Sequence, residues 1–115
     1  MPRLVFLDGA KRDLADIAER IERASMNRAT ADAFVERLIA YCQRLAARPV
    51  LMGRARPELR PTYRNVIFGN YVIFLTYESE GTSPRDVLKI VHVLWGARDI
   101  RAYFTDDSDD VDDGV

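Results

Sequence analysis

His92 is the only histidine of the chain, and imidazole is the side chain that titrates nearest to neutral pH. Such a group can act as a general base toward a hydroxyl group. Within the run 87–95, however, His92 alternates with Ile90 and Leu94, which places it on one face of a predicted inner strand. The pattern therefore favours a core histidine with a hydrogen-bond partner over a catalytic base.

Cys42 is the only cysteine, which excludes an internal disulfide and a cysteine cluster for zinc. It lies between Leu38 and Leu45 in a helical pattern, with no histidine near it in sequence. A small buried apolar side chain fits that position better than a nucleophile does. We expect no metal and no cofactor.

Arginines are concentrated in residues 48–61, which also contain three prolines and one glycine. The prolines and the glycine exclude regular structure and predict a well-defined crossing loop. Guanidinium groups bind carboxylates and phosphates, so the loop either contacts an acidic partner or phosphate, or is simply solvated. The four arginines are Arg48, Arg54, Arg56 and Arg60.

Two helices are predicted between a first short strand and this loop. Residues 3–7 have the composition of a strand, and apolar residues recur at helical spacing from about Lys11 to Ala24, with Asp8 available as a capping oxygen. Residues 25–27 break the pattern, and a second helix follows until Pro49 ends it. The short break implies an antiparallel helical hairpin.

Three further strands are predicted after the loop, at residues 62–68, 71–77 and 87–95, with one last helical turn at 98–104. Gly69-Asn70 suits a tight hairpin turn between the first two of these strands. The order β-α-α-β-β-β indicates an α+β fold, in which the helical hairpin packs on one face of a small, mostly antiparallel sheet. Runs 71–77 and 87–95 are apolar on both faces, so we expect the other face to carry an apolar patch that a partner covers.

Charge is unevenly distributed along the chain. Residues 1–104 contain 17 basic and 12 acidic residues, a net charge of +5, whereas residues 106–113 contain six aspartates. The length is that of one domain. We therefore predict a folded domain over residues 1–104 and an acidic, disordered tail over 105–115, which is either solvated or screens the domain from wrong partners.

No run approaches the roughly 18 apolar residues that a membrane span requires. The short apolar run 4–7 is followed at once by Asp8, unlike the longer core of a signal peptide. We predict a cytoplasmic protein with no membrane contact.

Three segments resemble motifs of the ParE/RelE superfamily of bacterial toxins, in the same order. Residues 52–60 look like the G-x-x-R-P-E-L crossing segment of ParE-like toxins, and residues 63–77 are similar to their central hairpin. Residues 91–99 resemble the closing strand with its H-G-x-R-D ending, although Trp95 stands where a histidine is frequent. The resemblance covers about residues 3–104 and fits the ParE-type subgroup best.

The resemblance implies the toxin of a type II toxin–antitoxin module, held in a hetero-oligomer by a cognate antitoxin with a DNA-binding N-terminal domain. It further implies inhibition of DNA gyrase without catalysis by the toxin. The face presented to the target would then consist of Trp95, Arg98 and Tyr103. The antitoxin-binding residues would be Arg54, Arg56, Arg60, Tyr71 and Ile73.

RelE-type members of the superfamily instead cut messenger RNA in the ribosome, which requires cations at the phosphate and a group that activates the 2′-hydroxyl. The candidates for that chemistry are Arg64, Arg98 and Tyr103, with His92 as the base. Against this alternative, a nuclease needs a strongly basic surface to hold RNA, whereas the sequence pI is about 5.8. A third alternative is an interaction module without toxicity.

Overall fold

The structure is a computed structural model, and it describes residues 2–81 and 83–96. The predicted helical turn at 98–104 and the predicted acidic tail at 105–115 lie outside these residues. The elements confirm an α+β fold and add one strand to the predicted order. They are β1 (Arg3–Phe6), α1 (Asp8–Ser25), α2 (Arg28–Ala47), β2 (Arg54–Ala55), β3 (Arg64–Phe68), β4 (Tyr71–Glu78) and β5 (Val87–Trp95).

Helix α1 begins about one turn earlier than the apolar spacing predicts. The N-cap position is Leu7, which makes no side-chain cap hydrogen bond, so the expectation that Asp8 supplies a capping oxygen is wrong. Asp8 instead lies in the first turn, where a carboxylate interacts favourably with the helix dipole. The helix ends at Met26 in the left-handed region (φ 58°), and Asn27 caps α2 by accepting a hydrogen bond from the Thr30 N–H.

The strands form one sheet in the order β1-β5-β4-β3-β2. Strands β3, β4 and β5 are antiparallel neighbours, which confirms the predicted meander, and Gly69 has the positive φ that its turn requires. Strand β1 pairs with β5 in parallel. The first strand of the chain is therefore hydrogen-bonded to the last strand described.

The crossing loop is not free of regular structure, contrary to the prediction. Arg54 and Ala55 form β2 and pair with Asn65 and Arg64 of β3. Gly53 precedes them with φ +88°, and a Cβ atom there would lie 2.7 Å from the Asn65 carbonyl oxygen. Only glycine fits so close to a neighbouring strand in that conformation.

One face of the sheet packs against both helices and forms the larger core. Ala10 and Ile17 come from α1, and Leu38 and Cys42 come from α2. Against them pack strand residues that are no more than 2% exposed, namely Ile73, Leu75, Leu88, Ile90 and Val93. This side confirms the predicted packing of the helical hairpin.

The opposite face is covered at its centre, so the expectation of a large exposed apolar patch there is wrong. Phe74 is fully buried, and Leu94 is 1% exposed. Leu59 of the crossing loop packs against them, as do Tyr63, which immediately precedes β3, and Leu7, which immediately precedes α1. Alternation of apolar residues shows that both faces need cover, but it does not show that a loop supplies the cover.

Candidate functional site

Among the described residues, the middle of β5 carries a buried polar pair. His92 Nδ1 lies 2.9 Å from Asp13 Oδ2, and the same carboxylate oxygen accepts a hydrogen bond of 2.8 Å from the Val93 backbone N–H. Asp13 and His92 are 8% and 7% exposed. The predicted role of His92 as a core histidine with a polar partner is therefore confirmed.

The partner lies on α1 because β1 is shorter than β5. The pairing of β1 with β5 stops at Phe6 opposite Ile90, so beyond this point β5 has a free edge that α1 approaches. Asp13 satisfies the Val93 N–H at that edge. Gly9 permits the close approach, since a Cβ atom at this position would lie 2.5 Å from His92 Cε1.

Arg64 holds the crossing segment to the sheet. Its Nε donates to the Met52 carbonyl at 2.9 Å, and its Nη2 donates to the Gly53 carbonyl at 2.7 Å. Two carbonyl oxygens thus occupy a guanidinium group that was a candidate for binding phosphate. The contacts give Arg64 a structural role, because they bind β3 to the loop residues that lead into β2.

The structure does not bring Arg64 and His92 together. Arg64 pairs with Leu75, and His92 pairs with Phe74. Leu75 and Phe74 are consecutive in β4 and belong to the cores on opposite faces of the sheet. The register of β4 with β5 shifts at this point, so the pairing does not assign His92 to a face. Strand β4 lies between the strands that carry the two residues, and neighbouring strands are about 4.8 Å apart. The His92 ring lies against Asp13, whereas Arg64 contacts the Met52 and Gly53 carbonyls. The other two, Arg98 and Tyr103, lie outside the described residues.

The arginines of the crossing segment differ in what they contact. Arg54 is exposed. Arg56 is partly buried, donates to Glu58 Oε2 at 2.6 Å, and also donates to Asn65 Oδ1 at 3.3 Å. Arg60 is partly buried as well. Arg54 is therefore the most accessible of the three arginines predicted to bind an antitoxin.

Tyr71 and Ile73, the other two residues predicted to bind an antitoxin, point into the main core. Ile73 is fully buried and Tyr71 is 9% exposed, with its ring 5.5 Å from that of Phe34. Their side chains are not on the surface of this structure. The alternation along β4 assigns them to the face that the helices cover.

Trp95 ends β5. Among the exposed apolar residues that the structure describes it has the largest side chain, and it is 46% exposed. The Arg20 guanidinium of α1 lies over its ring, 5.9 Å from the centroid. The strand end is fixed, because the Gly96 N–H donates to the Asn70 carbonyl at 2.8 Å. An aromatic side chain on a rigid strand, with a cation beside it, has the properties of an anchor for another protein.

Cys42 is buried on α2, as predicted, and burial raises the pKa of its thiol to about 12. It is therefore a poor nucleophile at neutral pH. Within residues 2–81 and 83–96, no three histidine, cysteine or acidic side chains are grouped as metal ligands, and no helix is long and apolar enough to span a membrane.

Two residues that matter were not identified from the sequence. Asp13 lies at helical spacing between Ala10 and Ile17, both buried, and this signal indicates an acid on the inner face of α1. Arg20 carries no comparable signal, since its contact with Trp95 depends on how α1 crosses the end of β5.

The sequence matches a protein family, although no individual curated protein matches it. The model of the family described as "ParE toxin of type II toxin-antitoxin system, parDE" matches residues 4–100. This range contains every described helix and strand except the first residue of β1, and the chain accordingly belongs to the ParE toxin family of type II toxin–antitoxin systems.

Proposed function

We propose that this toxin inhibits DNA gyrase in the cytoplasm and that direct binding of its cognate antitoxin, in a hetero-oligomer, neutralises it. Membership of the ParE family supports a toxin with a cognate antitoxin partner. Gyrase as the target and the residues that contact each partner are the parts that this proposal adds.

The choice of target depends on one observation: Arg64 and His92, two candidates for RNA cleavage, both make hydrogen bonds within the fold. Arg64 donates to two backbone carbonyls, and His92 is buried beside Asp13. RNA cleavage needs its cation and its base next to one phosphodiester group. Because β4 separates the strands that carry the two residues, and each residue already has partners of its own, they support a toxin that acts by binding.

Trp95 is the residue best placed to contact the target. It is exposed, fixed on a strand and flanked by the Arg20 guanidinium. Tryptophan and arginine are the residues most enriched among those that dominate binding energy at protein interfaces. We assign target binding to Trp95, with Arg98 and Tyr103 as predicted neighbours in sequence, and we expect no catalytic residue in the toxin.

Antitoxin binding is assigned to the crossing segment, with Arg54 as its accessible cation and Arg56 and Arg60 beside it in sequence. Tyr71 and Ile73 enter this assignment only as core residues that support the surface, since their side chains are buried. An acidic antitoxin segment would pair with the arginines. The test is the affinity of the purified antitoxin for Arg54→Gln, with Arg12→Gln on α1 as the matched exposed control.

The target is tested by induction of the toxin without its antitoxin. In the induced cells we expect DNA breakage, with messenger RNA intact. In a separate assay, we expect the purified toxin to inhibit supercoiling by gyrase. Trp95→Ala should weaken supercoiling inhibition, whereas Ile67→Ala, which truncates another exposed apolar side chain, should not. Cuts in ribosome-bound messages with normal supercoiling would replace gyrase by the ribosome as the target, and normal growth would indicate an inactive interaction module.

A further inference from the structure

The described arginines fall into two groups that differ in their partners. Arg23 pairs with Glu19, Arg28 pairs with Glu22 and Asp32, and Arg3 pairs with Glu80. By contrast, within residues 2–81 and 83–96 no ion pair joins a carboxylate to an arginine between the middle of α2 and its C-cap. These residues, the α2 arginine stripe, are Arg37, Arg44 and Arg48.

The stripe lies within a part of the sequence that contains no acidic residue. Residues 37–57 include five arginines and neither aspartate nor glutamate. Arg37 and Arg44 are seven positions apart, which places them on one side of the helix, and Arg48 is the extended C-cap residue that follows. All three side chains are exposed. The three side chains therefore give this side of α2 a positive charge, and an acidic residue, Asp86, lines a cavity together with Arg48 of the stripe.

Two of the stripe arginines are held in place by aromatic rings. The Arg37 guanidinium lies 5.6 Å from the centroid of Phe34, and the Arg44 guanidinium lies 5.8 Å from that of Tyr41. Stacking of this kind limits the freedom of a long side chain, so less entropy is lost when the guanidinium binds an anion. The stripe is partly ordered for binding a carboxylate.

The chain leaves the sheet at the end of the molecule where the stripe begins. Gly96 follows β5, and its N–H donates to the Asn70 carbonyl. Tyr71 is the residue after Asn70, and its ring lies 5.5 Å from the ring of Phe34, on which Arg37 stacks. The first aspartate of the group at 106–113 comes ten residues after Gly96. Ten extended residues reach about 33 Å, which is enough to return along α2.

We propose that the six aspartates of residues 106–113 bind the α2 arginine stripe of the same chain. Each exposed pair contributes only about 0.2–1 kcal/mol, but a covalently attached segment has an effective concentration in the millimolar range. The aspartates then occupy the stripe until an acidic partner displaces them. The segment acts as an intramolecular competitor for any protein that approaches α2, whichever target the toxin has.

A spin label tests this in the full chain. Ser108→Cys introduces a thiol among the aspartates, and it reacts selectively because Cys42 is buried. At about 20 mM salt we expect the spin label to broaden the backbone amide signals of residues 37–48. At about 0.5 M salt we expect this broadening to disappear, because the salt then screens the attraction between aspartates and arginines over a short distance. The amides of residues 11–23 on α1, which packs against α2, should be broadened less than those of residues 37–48 at low salt and should also sharpen at high salt.

Matched variants separate the stripe from net charge. Arg37→Gln, Arg44→Gln and Arg48→Gln together should abolish the broadening. Arg12→Gln, Arg23→Gln and Arg28→Gln, with the same loss of charge, should keep it. Broadening that is uniform, lies on another surface or responds equally to both triple variants would overturn the proposal.

A peptide of residues 105–115 added in trans gives a second measurement. It should bind a full chain with all six aspartates changed to asparagine at least about 10-fold more tightly than the unaltered chain, whose own segment competes at a millimolar effective concentration. Equal affinity for the two chains would show that the stripe is unoccupied and would contradict the proposal. Toxicity and gyrase inhibition are not read out in either experiment.

Discussion

His92 and Trp95 lie three positions apart on β5, yet their surroundings are opposite. His92 is buried beside Asp13, whereas Trp95 is nearly half exposed beneath a single guanidinium. The difference arises from α1, which packs against the edge of β5 at Val93 and leaves the strand end open. Histidine, a residue type that can act in catalysis, thus has a structural role at position 92. Tryptophan, which is usually well buried, lies on the surface at position 95.

The largest effect on stability is expected when the buried pair of Asp13 and His92 is broken. Asp13→Ala removes the acceptor of the buried Val93 N–H and the contact of the carboxylate with the His92 ring, so the free energy of unfolding should fall by about 3 kcal/mol. Urea denaturation measures it. The control Asp16→Ala, on the exposed side of α1, should change stability by less than about 0.5 kcal/mol. Equal losses for the two variants would remove the structural role of Asp13.

Gly9→Ala should reduce stability by about 1–2 kcal/mol, although alanine favours a helix more than glycine does. The added methyl would lie 2.5 Å from His92 Cε1. In a His92→Ala background the same substitution should be neutral or stabilising, and this difference measures the contact directly. Additive effects would show that the methyl is accommodated elsewhere.

Arg64→Met extends the comparison to the second nuclease candidate. Loss of the hydrogen bonds to the Met52 and Gly53 carbonyls should lower the free energy of unfolding by about 1–2 kcal/mol. Arg54→Met, at the neighbouring exposed position, should leave stability nearly unchanged. Protease cleavage within residues 48–56 should increase in the Arg64 variant alone.

Trp95→Ala should have the smallest effect on stability, less than about 1 kcal/mol, because much of the ring is already in water. Its effect on function should be large, since truncation of an anchor residue typically costs about 2 kcal/mol or more of binding energy, roughly 30-fold in affinity. Survival after induction, compared with Ile67→Ala, measures this. A loss of stability as large as that of Asp13→Ala would make Trp95 a core residue and end the contrast.

Much of the fold follows from local signals in the sequence. Gly69-Asn70 predicts the hairpin, the break at residues 25–27 separates two helices, and the apolar runs of β4 and β5 mark the centre of the sheet. The two residues of β2 were missed because Arg54 and Ala55 have no strand propensity and pair only through Asn65 and Arg64. The start of α1 was missed because Leu7 provides no capping side chain.

The site was less predictable, because it depends on contacts between distant segments. Alternation predicted the burial of His92, but its assignment of Ile90 and Leu94 to one face is wrong, because the register shifts beside His92 and the two residues belong to cores on opposite faces. Alternation also could not name Asp13, which is 79 residues away. The same alternation assigns Ile73 to the helix-covered face, whereas the resemblance to a family assigned it to a partner. Arg64 became a candidate for RNA cleavage through the resemblance to RelE-type members, and only the distances to Met52 and Gly53 give its structural role.

The parallel pairing of β1 with β5 has a consequence for synthesis in the cell. Residues 3–6 find their hydrogen-bonding partners only at residues 86–90, so the sheet cannot close until that part of the chain has left the ribosome. At about 5–20 residues per second, translation separates the two strands by roughly 4–17 seconds. Until then the nascent chain has neither β5 nor Trp95, so the strand order postpones completion of the sheet until β5 has been synthesised.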